Sequence, residues 1–397
     1  MADLLSITEA QSLVVTHARP LPPETVSLDE AAGRVLAKPA VAVVDLPPFP
    51  SSAMDGYAVR SADTPGRLRV TGRIPAGKPA SVSMGPGEAM GIATGGVVPD
   101  GADAVIPIEY VVDDDNDIEI ASVVANGANV RPRGGDIRAG ETVAERGAAL
   151  TPVRLGALAA AGIPEVRCTR RPRAAVLATG TELRRPGEEL AAGEIYEANG
   201  LILSAQLEAA GAAVERMPAV GDDEGALRAA LEAALAADVV VTSGGVSVGP
   251  HDLVRRVEGE LGVEEVFWRV AVKPGKPLAF GVRGGTLVFG LPGNPVSALV
   301  SFELFVKPAV RALQGVPEPL PRFERGRLVG ARRQNPERDE LARARLRRSD
   351  EGALLEPLSG QESHMIARSA GADALVLVPR GEGELANGDS VDYLRLD

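Results

Sequence analysis

The chain has 397 residues, too many for one ordinary hydrophobic core, so two to four domains are expected. Its formal charge of −12 argues against general nucleic-acid binding, which rests on clustered Lys and Arg, but leaves room for a small anion where basic residues gather locally. Cys168 is the only cysteine, which excludes an intramolecular disulfide or a thiolate cage, and His17, His251 and His364 are too scattered to suggest a zinc site.

The first residues carry Asp3 and Glu9 and do not read as a secretory signal. No apolar stretch approaches the ~20 residues of a membrane helix, and the expectation is a soluble, cytoplasmic protein that binds neither membrane nor nucleic acid. Two Ser-x-x-Glu capping boxes, Ser6 with Glu9 and Ser27 with Glu30, predict helices on either side of a turn containing Pro20, Pro22 and Pro23. From Tyr57 to about Val143 short β-like runs alternate with Gly, Pro and Asp turns, which predicts a small inserted all-β domain. Helical spacing resumes over 150–161, and the run Arg170, Arg171, Arg173 reads as a solvated basic connection. An alternating pattern follows: strand 174–179, helix 199–211, strand 213–220, helix 222–237, strand 238–242 and helix 253–261, which implies a mostly parallel sheet with right-handed crossovers. Pro317 and Pro319 close that domain, and the short strand-like runs beyond fit a small β-barrel or sandwich.

Three strand ends in the stretch 238–299 draw attention, because open α/β sheets bind ligands at the carboxyl ends of their strands. Ser243, Gly244, Gly245 and Ser247 form one candidate anion seat, since Gly permits close backbone approach. A second lies after Pro292, where Asn294 is placed to cap a helix that opens with Pro295 and carries Ser297, leaving N–H groups free for an oxyanion. Lys273 and Lys276, with Pro277, add positive charge between them. Each motif alone is an ordinary turn; three at strand ends together point to a ligand. Asp55, Thr94 and Asp136 each place an oxygen beside Gly. Glu182 follows the first parallel strand and, with Asp222, Asp223 and Asp252, forms a candidate carboxylate cluster for a divalent ion, although Asp222 also reads as a helix cap. The acidic run 113–117 lacks the glycine and glutamate of a calcium loop and reads as a solvated hairpin turn. Arg343, Arg345 and Arg347 alternate with Ala342, Ala344 and Leu346, so one face of a strand is basic: solvated, or reaching an anion held by the α/β domain.

The segments P-P-F-P-S-S-A-M-D-G-Y-A, R-P-R-G-G-D-I-R-A-G, A-T-G-T-E-L, V-T-S-G-G-V-S-V-G, K-P-G-K-P and G-L-P-G-N-P-V-S together resemble the molybdopterin molybdenumtransferase family, the bacterial MoeA proteins related to the carboxy-terminal domain of gephyrin. The resemblance spans essentially the whole chain. It implies an elongated multidomain α/β plus β protein: an N-terminal helical and linker domain (1–45 plus 144–172), an inserted mostly β domain (46–143), a three-layer α/β molybdopterin-binding domain (173–316) and a small C-terminal β-barrel (317–397). It implies a homodimer whose sites lie between the α/β domain of one subunit and the inserted domain of the other, working with other proteins of molybdenum cofactor biosynthesis. The implied reaction takes adenylated molybdopterin and molybdate, cleaves the adenylate with Mg²⁺, and leaves molybdenum on the dithiolene with AMP released. Asp55, Thr94, Asp136, Glu182 and Asp252 match positions implicated in catalysis, with Asp222 or its neighbour Asp223 matching another, and Glu182, Asp222 and Asp252 are the implied metal ligands. Ser243, Gly244, Gly245, Ser247, Lys273, Lys276, Pro277, Pro292, Asn294, Pro295, Ser297, Arg343 and Ser369 match the substrate and oxyanion site. Thr181 stands where some relatives have Asp, and Arg269 where some have Lys. Two other classes share parts of the pattern: the molybdopterin adenylyltransferases, which have Thr-Gly-Thr where this chain has Val246-Ser247-Val248, and non-enzymatic scaffolds, which would tolerate loss of the carboxylates present here.

Overall fold

The computed structural model describes residues 4–114, 116–245, 253–350 and 352–396. Contacts divide the chain into two compact units: Thr25–Ala32 with Lys38–Cys168, and the residues to Glu24 with Gly33–Ala37 and Thr169–Asp397. No helix among the described residues is long and apolar enough to cross a membrane.

In the first of these units, six strands form one sheet in the order 104–107, 56–59, 88–92, 66–74, 117–120 and 112–114. Its side chains alternate between two apolar layers, as a pleated strand requires. Tyr57, Val59, Leu68 and Ile106 face one side, and Ala58, Met90, Ile92 and Val105 the other. The acidic turn joins the last two strands; Asp115 lies outside the described residues, while Asp113 accepts a hydrogen bond from Tyr57 Oη at 2.6 Å. The helix expected over 150–161 forms as Pro152–Ala160, capped by Thr151.

The second unit begins with helix Ile7–His17, where both bonds of the Ser6–Glu9 capping box are present. The second capping box forms no helix. Ser27 ends a strand, Pro23–Ser27, and only a single 3₁₀ turn, Leu28–Glu30, follows without a side-chain cap. Gly33 at φ +71° turns the backbone out of any helical path just beyond it.

The α/β sheet runs 213–216, 173–178, 239–243, 286–291, 279–283, 264–268. The first four strands are parallel and the last two antiparallel. Two β-branched, fully buried runs supply the centre, Val239, Val240, Val241 and Val288 among them. Helices Asn199–Ala209, Pro295–Ser301 and Lys307–Leu313 cover one face through Leu203, Leu207, Val300 and Val310. Helices Glu224–Ala234 and Leu253–Glu260 cover the other through Leu227, Leu231, Val254 and Val257, which completes three layers. Strand 173–178, the first in chain order, pairs on one side with 213–216, the second, and on the other with 239–243, the third, so chain direction across the sheet reverses between 173–178 and 239–243, a topological switch point.

Arg171 and Arg173 are exposed, as expected of a solvated run, but its anchor is fixed. Arg170 donates twice to Asp238, at 2.8 and 2.9 Å, and the Arg173 N–H donates to the same carboxylate at 2.7 Å. Burial works to raise the Asp238 pKa, but these donors outweigh it and hold the carboxyl below the usual aspartate range. The stabilisation is therefore full above the unfolded-state value of ~3.9 and lost as pH falls through the lower folded value. The stability difference between the wild type and Asp238→Asn, measured by urea unfolding, should be constant from pH 8 to about 5 and shrink below pH 4; a difference that instead grows on acidification would exclude this account.

Five strands close the C-terminal barrel. Strand Asp339–Ser349 pairs with Gly352–Pro357 and Ala374–Val378, Glu324–Leu328 pairs with Gly352–Pro357 and Ser390–Arg395, and Ala374–Val378 pairs with Ser390–Arg395. Leu328, Ala342, Ala344, Leu355, Val376 and Tyr393 fill it. The short strand Val272–Lys273 adds in parallel to Asp339–Glu340, joining this barrel to the α/β domain.

Candidate functional site

A cleft of about 780 Å³ opens at the switch point. Its walls come from the ends of three parallel strands: Ala178–Leu183 after the first, Ser243–Gly245 after the third and Pro292–Pro295 after the fourth. Ile195, Tyr196, Asn199, Asp222 and Pro277 add to the rim, and His364 and Ile366 reach it from beyond the barrel strand 339–349.

Local chemistry explains why these ends converge. The Gly244 N–H donates to Leu291 O at 3.1 Å and the Thr179 N–H to Ser243 O at 2.9 Å. Gly244 and Gly245 sit at φ +98° and +68°, and a Cβ on Gly244 would lie 2.5 Å from Thr179 O. Only glycine fits that approach. Asn199 Nδ2 donates to Ser243 Oγ at 2.8 Å and to Gly293 O at 2.7 Å, clamping two strand ends together. Asn199 lines the cleft but does not stand out in the sequence, where its only signal is an amide at the first residue of a helix that follows a strand. The Ser243 hydroxyl, expected at an anion seat, is 3% exposed, accepts from Asn199 and reaches Pro292 O at 3.4 Å.

The second expected seat is altered. Pro295 does open helix Pro295–Ser301, but Asn294 makes no side-chain capping bond. The Val296 N–H is occupied, donating to Ser363 O at 3.1 Å, while the Ala298 N–H makes the ordinary first helical bond to Asn294 O at 3.0 Å. Asn294, Pro292, Pro295 and Pro277 line the cleft, whereas Ser297 is buried behind it, at 4% exposure.

The carboxylates sort clearly. Glu182 and Asp222 line the cleft, and neither side-chain carboxylate has a hydrogen-bond or ion-pair partner among the described residues. Asp223, not Asp222, caps helix Glu224–Ala234, accepting from the Ala226 N–H at 2.7 Å. Asp252 and Ser247 lie outside the described residues. In the other compact unit Asp55 and Thr94 come together, the Thr94 N–H donating to Asp55 Oδ1 at 2.8 Å, and Asp136 stands exposed on the turn whose N–H donates to Leu46 O.

Neither Lys273 nor Lys276 is among the residues lining the cleft. Lys273 Nζ lies 3.4 Å from buried Glu340, which Arg332 also contacts; Lys276 has no carboxylate partner among the described residues. The loop between them presses on the helix behind the cleft, because Gly275, at φ +114°, leaves no room for a Cβ beside Ser301 Oγ.

Arg343 overturns the expectation of a basic strand face, being 1% exposed. Nη1 donates to Met365 O at 2.7 Å and to Ser369 Oγ at 2.6 Å, and Nη2 to Gly360 O at 2.8 Å and Glu362 O at 3.3 Å. Burial pushes its pKa below the usual arginine value, Glu362 works to raise it and Arg332 to lower it. A fork of donors suits several carbonyls at once, which is how an arginine can be buried without a carboxylate.

An open α/β sheet with a glycine-walled, acid-edged cleft at its switch point defines a ligand-binding protein of the doubly wound class, carrying a β insertion and a closed barrel. The particular assignment comes from similarity. Residues 5–162 match the MoeA N-terminal region (domain I and II), 175–312 the probable molybdopterin binding domain, and 325–396 the MoeA C-terminal region (domain IV). The chain is 38% identical over 96% of its length to molybdopterin molybdenumtransferase 2 of Mycobacterium tuberculosis, covering 97% of that protein. It is 40% identical over 79% of its length to the Haemophilus influenzae molybdopterin molybdenumtransferase, covering 78% of it. The solved structure of a molybdopterin biosynthesis moeA protein from Pyrococcus horikoshii OT3 superposes with a TM-score of 0.86 at 29% identity, covering 99% of this chain and 100% of that one. This chain belongs to the MoeA family, a family of transferases in molybdenum cofactor biosynthesis.

Proposed function

We propose that this protein inserts molybdenum from molybdate into adenylated molybdopterin, with Mg²⁺-dependent cleavage of the adenylate and release of AMP. The observation that carries the reading is the cleft: backbone turns at three strand ends surround two carboxylates, Glu182 and Asp222, that have no protein partner among the described residues. Hard oxygen donors of this kind suit Mg²⁺, which takes one or two carboxylates and completes its shell with water and substrate phosphate. Glu182 and Asp222 would hold the ion, with Asp252 a further candidate; when bound it would neutralise charge at the phosphate being cleaved.

The chain's own groups do the rest of the work in this reading. Ser243–Gly245 and Pro292–Pro295 present backbone against which a flat, phosphate-bearing substrate lies, and Asn199 keeps the two turns in register. Lys276, free of a carboxylate, and Lys273 supply charge for molybdate, a tetrahedral dianion. Asp55, Thr94 and Asp136 are proposed catalytic residues of the inserted domain. We further propose a cytoplasmic homodimer working with other cofactor-assembly proteins; exposed apolar side chains such as Val43, Tyr110 and Val153 support self-association.

Incubating the purified protein with adenylated molybdopterin and Mg²⁺, with and without molybdate, tests the reading by chromatography of AMP. Release that requires molybdate is the expected result. Tight binding without release would indicate a carrier or scaffold instead.

A further inference from the structure

Among the described residues lining the cleft, the acidic side chains are Glu182, Glu197 and Asp222, and no Lys or Arg joins them. His364 is the one lining side chain that offers an imidazole N–H to an anion. It lies in the segment 358–370, whose regular structure is the single turn Ile366–Ser369. Such a segment would be expected to move, yet residue 364 is held from two directions. Arg343 grips the carbonyls of Gly360, Glu362 and Met365 and the Ser369 hydroxyl, so its contacts bracket position 364. Gln361 reinforces the grip, accepting from the Arg343 N–H at 2.9 Å and donating to Arg343 O at 2.8 Å. On the other side Ser363 O accepts from Val296 N–H, docking the segment on the helix that starts at the cleft wall.

We propose that His364 is a substrate-binding residue, donating a hydrogen bond to an anionic phosphate oxygen of the adenylated substrate, and that Arg343 is the positioning residue that holds it there. This rests on the substrate reading above. It gives Arg343 a different role from that of an oxyanion ligand: its guanidinium is committed to carbonyls, and its effect on substrate travels through the 358–370 segment.

The test is direct binding of adenylated molybdopterin, followed by fluorescence, together with AMP release as molybdate is varied. A charge-assisted hydrogen bond of ordinary strength predicts that His364→Ala weakens substrate binding about tenfold or more, raises KM in parallel, and leaves the half-saturating molybdate concentration unchanged. His364→Asn, which keeps an N–H donor, should recover part of the loss. Arg343→Lys should show the same signature and add little in the His364→Ala background. Ser369→Ala, which removes a single acceptor, gives a smaller loss of the same kind and keeps the test open should Arg343→Lys not fold. Unchanged substrate affinity in His364→Ala overturns the proposal. A rise in half-saturating molybdate for Arg343→Lys that persists without His364 returns Arg343 to the oxyanion site. Absence of AMP release by the wild type would count against the transferase reading, while the binding comparison would still decide the role of His364.

Discussion

Gly244→Ala should cost about 2–4 kcal/mol of stability in urea unfolding and weaken binding of adenylated molybdopterin roughly 100-fold. The residue sits at φ +98°, where an L side chain is strained whatever the space. The space is also absent: the added carbon would lie 2.5 Å from Thr179 O and 2.8 Å from Thr179 Oγ1. Relief requires the first and third strand ends to part, which works against the bond from the Thr179 N–H to Ser243 O and displaces the Ser243 end that the Asn199 clamp holds to Gly293. Binding therefore suffers through the same displacement that lowers stability. Wild-type unfolding together with wild-type affinity would show that the turn has room which its geometry denies.

Glu182→Gln should lower AMP release about 100-fold, near 3 kcal/mol of transition-state stabilisation, and raise the Mg²⁺ concentration needed for half-maximal release. The amide keeps the shape and loses the charge, so folding should be unaffected. Asp222→Asn should behave alike. Asp223→Asn makes the informative contrast, because Asp223 spends its carboxylate on the Ala226 N–H: a small loss of stability and an unchanged Mg²⁺ requirement are expected. If Asp223→Asn shifts the Mg²⁺ requirement and Asp222→Asn does not, the two adjacent aspartates have been assigned in the wrong order.

Much of the fold was legible because its signals are local. Buried β-branched runs such as 239–241, helices of 3.6 periodicity and turn glycines specify an α/β unit without knowledge of distant contacts. The failures all involve groups whose partners lie far away in sequence. Ser27 with Glu30 matches a capping box, but nothing in that pattern weighs Gly33 and the strand that Pro23–Ser27 forms instead. Asn294 stands at a helix start where the Val296 N–H is taken by Ser363 O, 67 residues further along the chain. Alternation of Arg343, Arg345 and Arg347 marks a strand correctly yet cannot tell that the first is buried under a loop while the others face water. In the site, glycine turns and the carboxylates Glu182 and Asp222 were readable from their place after strands. Asn199 and His364 were not, since an amide at a helix start and a lone histidine acquire meaning only when the cleft assembles around them.

The parallel pairing of Val272–Lys273 with Asp339–Glu340, reinforced by the Lys273–Glu340 contact, has an evolutionary corollary. The proline-rich joint at Pro317, Pro319 and Pro321 looks like a natural place to shuffle modules, yet a crossover there would divide a shared backbone ladder between two parents. A hybrid chain inherits a matched pair only if both edges descend from the same ancestor. Recombination should thus favour exchange of the lysine loop and the barrel as one inherited block, and substitutions at positions 273 and 340 should travel together among descendants.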